Sequence, residues 1–191
     1  MNIFIKKILD EPIVNDPWPH QIVSDILDLT VFDKIDQQCQ KLLLSNQKLL
    51  ISPNDFEKYH LDLKNEVDSI STDILCNFES IIKQYPYHRK YSETPQIDTH
   101  ISVVPPLPYK HVIHDESANK ILSIILYVTP ISNKGTLMYT ADDENTLVKT
   151  VPWKQNSAFV FCGREQSTWH SFESDETNNR ITLNFFIKKQ R

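Results

Sequence analysis

The chain has 191 residues, of which 40% are hydrophobic and 24% are charged, and its formal net charge is -5. This length suits one well-packed domain, and the composition is typical of a soluble globular protein. A negative net charge with scattered lysines and arginines argues against a nucleic-acid partner, because phosphate binding relies on clustered basic side chains.

The glycine and cysteine contents exclude further classes of protein. Only Gly135 and Gly163 occur, so neither a P-loop nor a Rossmann phosphate loop is present. Cys39, Cys76 and Cys162 form no Cys-x-x-Cys pair, and we expect buried free thiols. No apolar stretch is long enough to span a membrane, and the opening residues lack the features of a signal peptide. We therefore expect a cytoplasmic protein without a membrane partner.

Residues 1–90 are predicted to form a helical region that supports the rest of the domain. A first helix is indicated by apolar residues at helical spacing, namely Ile35, Cys39, Leu42 and Leu43. Across residues 55–85 a longer apolar series keeps a period of 3.6 residues, with Asn54 as the expected N-cap and Pro86 as the stop. Such a stripe is typical of a helix face packed on a core.

Residues 91–191 are predicted to form a β core. Short runs rich in β-branched and aromatic residues alternate with turn sequences, and these runs are IDTHISVV, KHVIH, KILSIILYV, TLMYT, TLVKTV, SAFVFC, TWHSF and RITLNFFIK. Short strands at this spacing favour a double-sheet jelly roll over a parallel α/β sheet. The predicted fold is therefore mainly β with N-terminal α-helices packed on the larger sheet, in a single domain over 1–191.

The stretch HVIHDESANK, residues 111–120, contains several side chains that can bind a metal. In an extended strand residues i and i+2 share a face, so His114 and Glu116 are expected to point one way and Asp115 the other. By the same rule His111 should face away from the site, as a residue of its rim that could contact a substrate. His-x-Glu can supply two ligands of a facial metal site if a distant histidine completes it, and His170 in TWHSF is the candidate.

A third group of polar side chains lies on the last predicted strand. By alternation Arg180, Thr182 and Asn184 share one of its faces. An arginine and a threonine on an inward face offer charge-assisted donors to a carboxylate, and a buried arginine would be costly without such a partner. The C-terminal half thus presents His-x-Glu, a distant histidine and an Arg-x-Thr anion clamp, in that order.

In this order and setting, the motifs resemble the signature of the 2-oxoglutarate- and Fe(II)-dependent oxygenases, in their prolyl-4-hydroxylase-like branch. That signature is His-x-Asp/Glu, a distal histidine, and Arg-x-Ser/Thr shortly after it. The resemblance extends to the Lys of SANK, the LYV strand, the Gly-Thr turn, the N-x-A-x-x-F strand and the PWPHQIV segment. It covers most of the chain and implies a cupin-like jelly roll, the double-stranded β-helix.

The resemblance also implies a site and a chemistry. The iron ligands, which are the catalytic residues, would be His114, Glu116 and His170. Arg180 would pair with the distal carboxylate of 2-oxoglutarate, Thr182 would add a hydrogen bond, and Tyr127 would reach the same carboxylate. The implied enzyme is a dioxygenase that uses Fe(II), 2-oxoglutarate and O2, hydroxylates a C–H bond and releases succinate and CO2.

Several alternatives concern the substrate and the class of function. The branch points first to a prolyl residue of a peptide or protein, and the acidic chain suits a basic target. A free amino acid or another small metabolite is the next candidate. A jelly roll could also be a non-catalytic binding module or metal sensor, or an adaptor that uses its long helix, although the intact ligand and clamp motifs favour an enzyme.

Two further expectations concern residues around the site. The specificity loops are expected near residues 85–95 and 141–145. Lys120, Trp153 and Trp169 could shape the pocket, but core packing or surface cover is the role we expect for each.

Overall fold

A computed structural model of the chain describes residues 2–43, 47–89, 91, 94–164 and 166–189. The helices are α1 (Ile3–Asp10), α2 (Leu29–Gln40) and α3 (Lys64–Ile82), and single 3-10 turns cover Pro53–Asp55, Glu57–Tyr59 and Glu144–Thr146. The strands are β1 (Gln21–Val23), β2 (Leu49–Ile51), β3 (Gln96–Val104), β4 (Lys120–Thr129), β5 (Thr136–Tyr139), β6 (Leu147–Val151), β7 (Ser157–Cys162), β8 (His170–Phe172) and β9 (Arg180–Lys188).

The strands form two antiparallel sheets. The larger sheet has six strands in the order β1-β7-β4-β9-β3-β2, and the smaller has three in the order β6-β5-β8. The prediction of a mainly β protein with helices in its N-terminal half is confirmed. Among the predicted strands, residues 110–114 differ, because they make only isolated bridges, from Lys110 to Glu173 and from His114 to His170.

One apolar core joins the helices to the larger sheet. Alternate residues of β9 enter this core, and they are Ile181, Leu183, Phe185 and Ile187. They pack in the same cluster as Ile5 of α1, Ile35 of α2 and Ile74 of α3. Because successive strand residues face opposite ways, this packing directs the other residues of β9 to the inner face of the sheet.

The N-terminal region differs from its prediction in two ways. The long helix begins at Lys64 rather than after Asn54, because residues 53–59 form 3-10 turns and His60 takes a left-handed conformation with φ of 54°. A left-handed residue interrupts a right-handed helix. In addition, β1 and β2 are the two edge strands of the larger sheet, so residues 1–90 complete the sheet as well as supporting it.

A second apolar cluster packs the two sheets against each other. It contains Tyr127, Phe159 and Phe161 of the larger sheet together with Met138 and Val151 of the smaller one. The strands that carry predicted site residues therefore face each other across the interior of one compact β structure.

The structure also tests the expectations for thiols and membrane spans. Cys39 and Cys162 are buried, but Cys76 is exposed on α3, so the expectation of a buried thiol is wrong there. Cys76 sits on the solvent side of an amphipathic helix, which the apolar spacing did not reveal. Over the residues with described structure, no helix has both the length and the apolar character that crossing a bilayer requires.

Candidate metal and anion site

A cavity of about 260 Å³ lies between the two sheets. One wall is lined by inward-facing residues of β9, namely Arg180, Thr182, Asn184 and Phe186. The prediction that the first three share a face is confirmed. The other wall carries His114, Glu116, His170 and Phe172, so every candidate metal ligand borders the cavity that Arg180 borders.

His114 and His170 form the centre of this second wall. Their backbones are joined by hydrogen bonds of 3.1 Å from the His114 N–H to the His170 carbonyl and 2.9 Å in the reverse direction. This single antiparallel bridge brings the ring centroids to 4.3 Å from each other. The two histidines, separated by 56 positions (170 − 114) in the chain, are thus held as a pair by the backbone.

The hydrogen bonds of both rings fix their tautomers. The Nδ1 of His114 lies 3.0 Å from the Val112 carbonyl oxygen, and the Nδ1 of His170 lies 2.7 Å from that of Thr168. A carbonyl oxygen only accepts, so each Nδ1 carries a proton and Nε2 is the ring nitrogen left for a metal. Metal-binding histidines are commonly oriented in this way. Burial lowers the pKa of His170 to about 4, which keeps the ring neutral and able to bind a metal.

Glu116 borders the cavity but is engaged by other side chains. Its carboxylate, 2% exposed, accepts hydrogen bonds from the Lys120 ammonium at 2.6 Å and the Ser123 hydroxyl at 2.5 Å. Burial alone would raise the pKa of Glu116, but the attraction of His170 in its protonated form, the attraction of the Lys120 ammonium and the two hydrogen bonds outweigh burial, so the pKa lies below its usual value. The carboxylate is therefore charged at neutral pH.

The three candidate ligands do not converge in this arrangement. Among the described residues, no group of three or more histidine, cysteine, aspartate or glutamate side chains is arranged to hold a metal. The histidines form a pair, and the Glu116 carboxylate is bound to Lys120 and Ser123. The donor types nevertheless suit a facial site of two imidazoles and one carboxylate. The metal-ligand assignment thus stays a prediction.

Two neighbours of the histidine pair test the rule of strand alternation. Asp115 points away from the cavity, and its carboxylate accepts a hydrogen bond from the Gln166 N–H at 2.7 Å. His111, however, lines the cavity with its ring centroid 4.6 Å from that of His114, so the prediction that it faces away is wrong. Residues 110–114 are not a regular strand, and alternation does not hold across them.

Arg180 lies at the inner end of the cavity without a counter-ion. It is 3% exposed, its Nε has no hydrogen-bond partner, and it forms no salt bridge with any carboxylate of the described residues. Its guanidinium lies over the rings of Phe172 at 4.4 Å and Trp153 at 5.1 Å. Burial lowers the pKa of Arg180 to about 10, so it is still a cation at neutral pH. A buried cation is costly without a partner, and an anionic ligand would supply one.

Tyr127 and Thr182 lie beside Arg180. They are paired across β4 and β9, and the Tyr127 hydroxyl is 2.8 Å from that of Thr136. Tyr127 also stacks on Trp153, with ring centroids 4.6 Å apart. The residues predicted to bind the carboxylate of a cofactor are therefore adjacent in the structure.

Several residues that border the site were not assigned to it from the sequence. Trp153 packs against Arg180, and Thr136 of the Gly-Thr turn lines the cavity. Towards Phe186 the lining includes His100 and Lys120, whereas Lys48 lies level with Arg180, because it precedes Leu49, the β2 residue that pairs with Val103 of β3. Alternation along β3 could have placed His100, whereas Lys48 lies in the region predicted to be helical. The predicted specificity loop at 85–95 lies partly outside the described residues.

The fold is similar to that of several solved prolyl hydroxylases and of an alpha ketoglutarate dependent epimerase. The predicted resemblance is thereby confirmed at the level of fold. No family model and no curated protein matches the chain, so its likeness to known proteins is seen in structure alone.

Three solved structures illustrate this likeness. A prolyl-4-hydroxylase from Pseudomonas putida is 12% identical with a TM-score of 0.54, over 98% of each chain. A prolyl hydroxylase from Trichoplax adhaerens, in complex with a hypoxia inducible factor peptide fragment, is 12% identical with a TM-score of 0.60, over 98% of this chain and 88% of that one.

The third is a non-heme alpha ketoglutarate dependent epimerase from nogalamycin biosynthesis. It is 10% identical with a TM-score of 0.61, over 89% of this chain and 76% of that one. Another structure of this epimerase is a complex with Fe3+, alpha ketoglutarate and nogalamycin RO.

The Lys120–Glu116 pair leads to a prediction about the stability of the metal-free protein. A chelator in the buffer keeps metal ions away from Glu116 in this experiment. Because the folded pKa of Glu116 is lowered, its contribution to stability is present above the unfolded pKa and is lost as pH falls through the folded value. Lys120→Met leaves the buried carboxylate without its cation, and we expect a loss of about 2–4 kcal/mol at pH 7. The loss should be smaller at pH 5, where Glu116 of the variant can take up a proton.

Urea unfolding of wild type and variant at both pH values measures this effect. Lys154→Met is the matched control, because its ion pair with Asp25 is exposed, and it should change the stability by less than about 1 kcal/mol. Equal stability of Lys120→Met and wild type at pH 7 would contradict the account of the buried pair.

Proposed function

We propose that this protein is an Fe(II)- and 2-oxoglutarate-dependent oxygenase that hydroxylates a C–H bond. The observation that carries the proposal is the buried Arg180, which has no counter-ion among the described residues, in the same cavity as two histidines whose Nδ1 atoms are bound to backbone carbonyls. A cation at one end and two imidazoles at the side suit a ligand that has a carboxylate to pair and a second end to bind a metal. The fold supports the same class.

In this proposal His114, His170 and Glu116 hold the Fe(II). His114 and His170 are already oriented for this role, because each donates its Nδ1 proton to a backbone carbonyl. Glu116 would turn from Lys120 and Ser123 towards the histidines. Three protein ligands leave positions for a bidentate keto acid and for O2. When bound, Fe(II) and 2-oxoglutarate supply an O2-dependent oxidation that converts C–H to C–OH and yields succinate and CO2.

The other residues would orient the cofactor and exclude water. Arg180 would pair with the distal carboxylate of 2-oxoglutarate, and the adjacent Thr182 would donate a hydrogen bond to it. Behind His170 the rings of Phe161 and Trp18 pack with centroids 5.1 Å and 6.4 Å from its own. These apolar rings close that side of the site, which keeps water from the reacting atoms.

For the substrate, we propose first a prolyl residue of a peptide or protein. The Trichoplax adhaerens relative in fold supports this choice, because it is a prolyl hydroxylase in complex with a peptide. The alternative is a free amino acid or other small metabolite. The cavity of about 260 Å³ favours a small reacting group, since it has to hold the keto acid as well.

A non-catalytic binding module is the second candidate function. The observation that favours it is the Glu116 carboxylate, which Lys120 and Ser123 hold instead of the histidines. A module of this kind would bind an anion at Arg180 without consuming it. Consumption of 2-oxoglutarate separates the two functions.

The role of Arg180 can be tested by calorimetry with 2-oxoglutarate and Mn(II) as an inert substitute for Fe(II). Arg180→Met should weaken 2-oxoglutarate binding by about 1.5–3 kcal/mol, the scale of a charge-assisted hydrogen bond. Arg164→Met is the control, because Arg164 is exposed and lies over Tyr87 outside this cavity. This variant should bind 2-oxoglutarate with the same affinity as wild type. Unchanged affinity in Arg180→Met would contradict the assignment.

The substrate is tested by measuring succinate release with Fe(II), 2-oxoglutarate and O2. A proline-containing peptide should stimulate release above the rate without substrate and should gain the mass of one oxygen atom. Stimulation by free amino acids alone would favour the small-metabolite alternative. If succinate release does not exceed that of His170→Ala under any condition, the binding module is the better account.

A further inference from the structure

Arg89 lies between α3 and β3 in the chain, and its guanidinium reaches the segment that carries Glu116. Its Nη2 donates to the Glu116 carbonyl oxygen at 2.7 Å, and its Nη1 donates to the Ser117 carbonyl oxygen at 2.7 Å. The Nε of the same group donates to the carbonyl oxygen of Gly163, which follows β7, at 3.3 Å. One side chain therefore joins the Glu116 segment to the end of a strand of the larger sheet.

These three contacts depend on the shape of an arginine. A guanidinium is planar and presents its N–H groups in a fixed arrangement, whereas the ammonium of a lysine is a point charge. The Arg89 side chain is only 11% exposed, and the Asp115 carboxylate lies 3.9 Å from its Nη2. Because hydrogen bonds from a charged donor are stronger than those between neutral groups, the three carbonyl groups are held firmly in place.

Gly163 allows the two segments to approach each other. A Cβ atom at this position would lie 3.1 Å from the Cβ of Glu116 and 3.0 Å from the carbonyl oxygen of Lys120, and Cβ atoms rarely come this close to other atoms. The Gly163 N–H also donates to the Ile121 carbonyl oxygen at 3.1 Å. Together with the hydrogen bonds of Arg89, this packing fixes the backbone of Glu116 and leaves its side chain free to rotate.

A second contact joins the same segment to the loop before β8. The Asp115 carboxylate accepts a hydrogen bond from the Gln166 N–H at 2.7 Å. Two residues farther along, the Thr168 carbonyl oxygen accepts the Nδ1 proton of His170 at 2.7 Å. The backbone that carries Glu116 and the backbone that orients His170 are therefore connected by short polar contacts.

We propose that Arg89 is a positioning residue for the metal site, and that it acts by holding the backbone of Glu116 where its carboxylate can join His114 and His170 on one metal ion. The proposal rests on the proposed function and deepens it. With the backbone fixed, the change of partner from Lys120 to the metal needs only rotation of the Glu116 side chain. Groups that orient metal ligands typically contribute about 10- to 100-fold to metal affinity.

The test is anaerobic titration of the metal-free full chain with Co(II), whose visible absorption reports binding. Co(II) binds imidazole more tightly than Mn(II) does, so weakened variants stay measurable. Arg89→Ala should weaken Co(II) binding about tenfold or more. Arg89→Lys keeps the charge but cannot serve three carbonyl groups, so it should also bind weakly. Wild-type affinity in either variant would overturn the proposal, and Arg89→Lys decides the question if Arg89→Ala does not fold.

A matched control and a double-mutant cycle separate positioning from a general loss of structure. Arg164→Ala removes the same charge from an exposed side chain on the neighbouring loop and should bind Co(II) as wild type does. In Glu116→Ala, adding Arg89→Ala should change the affinity by less than about twofold, because a residue that acts through Glu116 has no effect once its carboxylate is gone. A further loss of about tenfold in that background would overturn the proposal.

Failure of the proposed function is distinguishable in the same experiment. If wild type shows no Co(II) binding that His170→Ala loses, the metal site itself is absent, and the proposed function and the role of Arg89 are both wrong. If wild type binds Co(II) through His170 and both Arg89 variants bind it equally well, the proposed function stands and the role of Arg89 alone is wrong.

Discussion

The rest of the structure depends on the burial of the Arg180 guanidinium, for which the described part of the chain supplies no counter-ion. Three helices pack on the outer face of the six-stranded sheet, where Ile181 and Leu183 join their apolar core. Because side chains alternate along β9, Arg180 and Thr182 therefore lie on the inner face. A buried cation is costly unless an anionic ligand pairs with it. The apolar core outside the sheet thus sets the chemistry inside it.

The metal side of the site is organised by backbone hydrogen bonds rather than by side chains. One bridge pairs His114 with His170, and carbonyl oxygens hold both Nδ1 protons, so the ligand atoms are set before any metal arrives. Glu116 differs from the histidines, because side chains hold it. The Lys120 ammonium balances its buried charge, and the Ser123 hydroxyl donates a hydrogen bond to it. The same lysine thus stabilises the carboxylate and lines the cavity beside it.

Periodicity predicted the parts of the fold that are locally encoded. Alternation along β9 placed Arg180, Thr182 and Asn184 correctly, because that strand is regular and buried on both faces. The same rule failed for His111, since its segment makes only isolated bridges. Lys48 could not be placed from the sequence, because its position depends on β2 joining the distant β3 as an edge strand. Pairing between distant segments leaves no local signal, so this part of the cavity lining could not be predicted from the sequence.

The central claim is that this cavity binds Fe(II) and 2-oxoglutarate together. Anaerobic titration of the metal-free protein with Fe(II), and then with 2-oxoglutarate, tests it most directly, because a chelated keto acid gives a visible charge-transfer band. The account predicts a band that saturates at one equivalent of iron and is lost in His114→Ala. A folded wild-type protein that gives no band, or a band that His114→Ala retains, would contradict it.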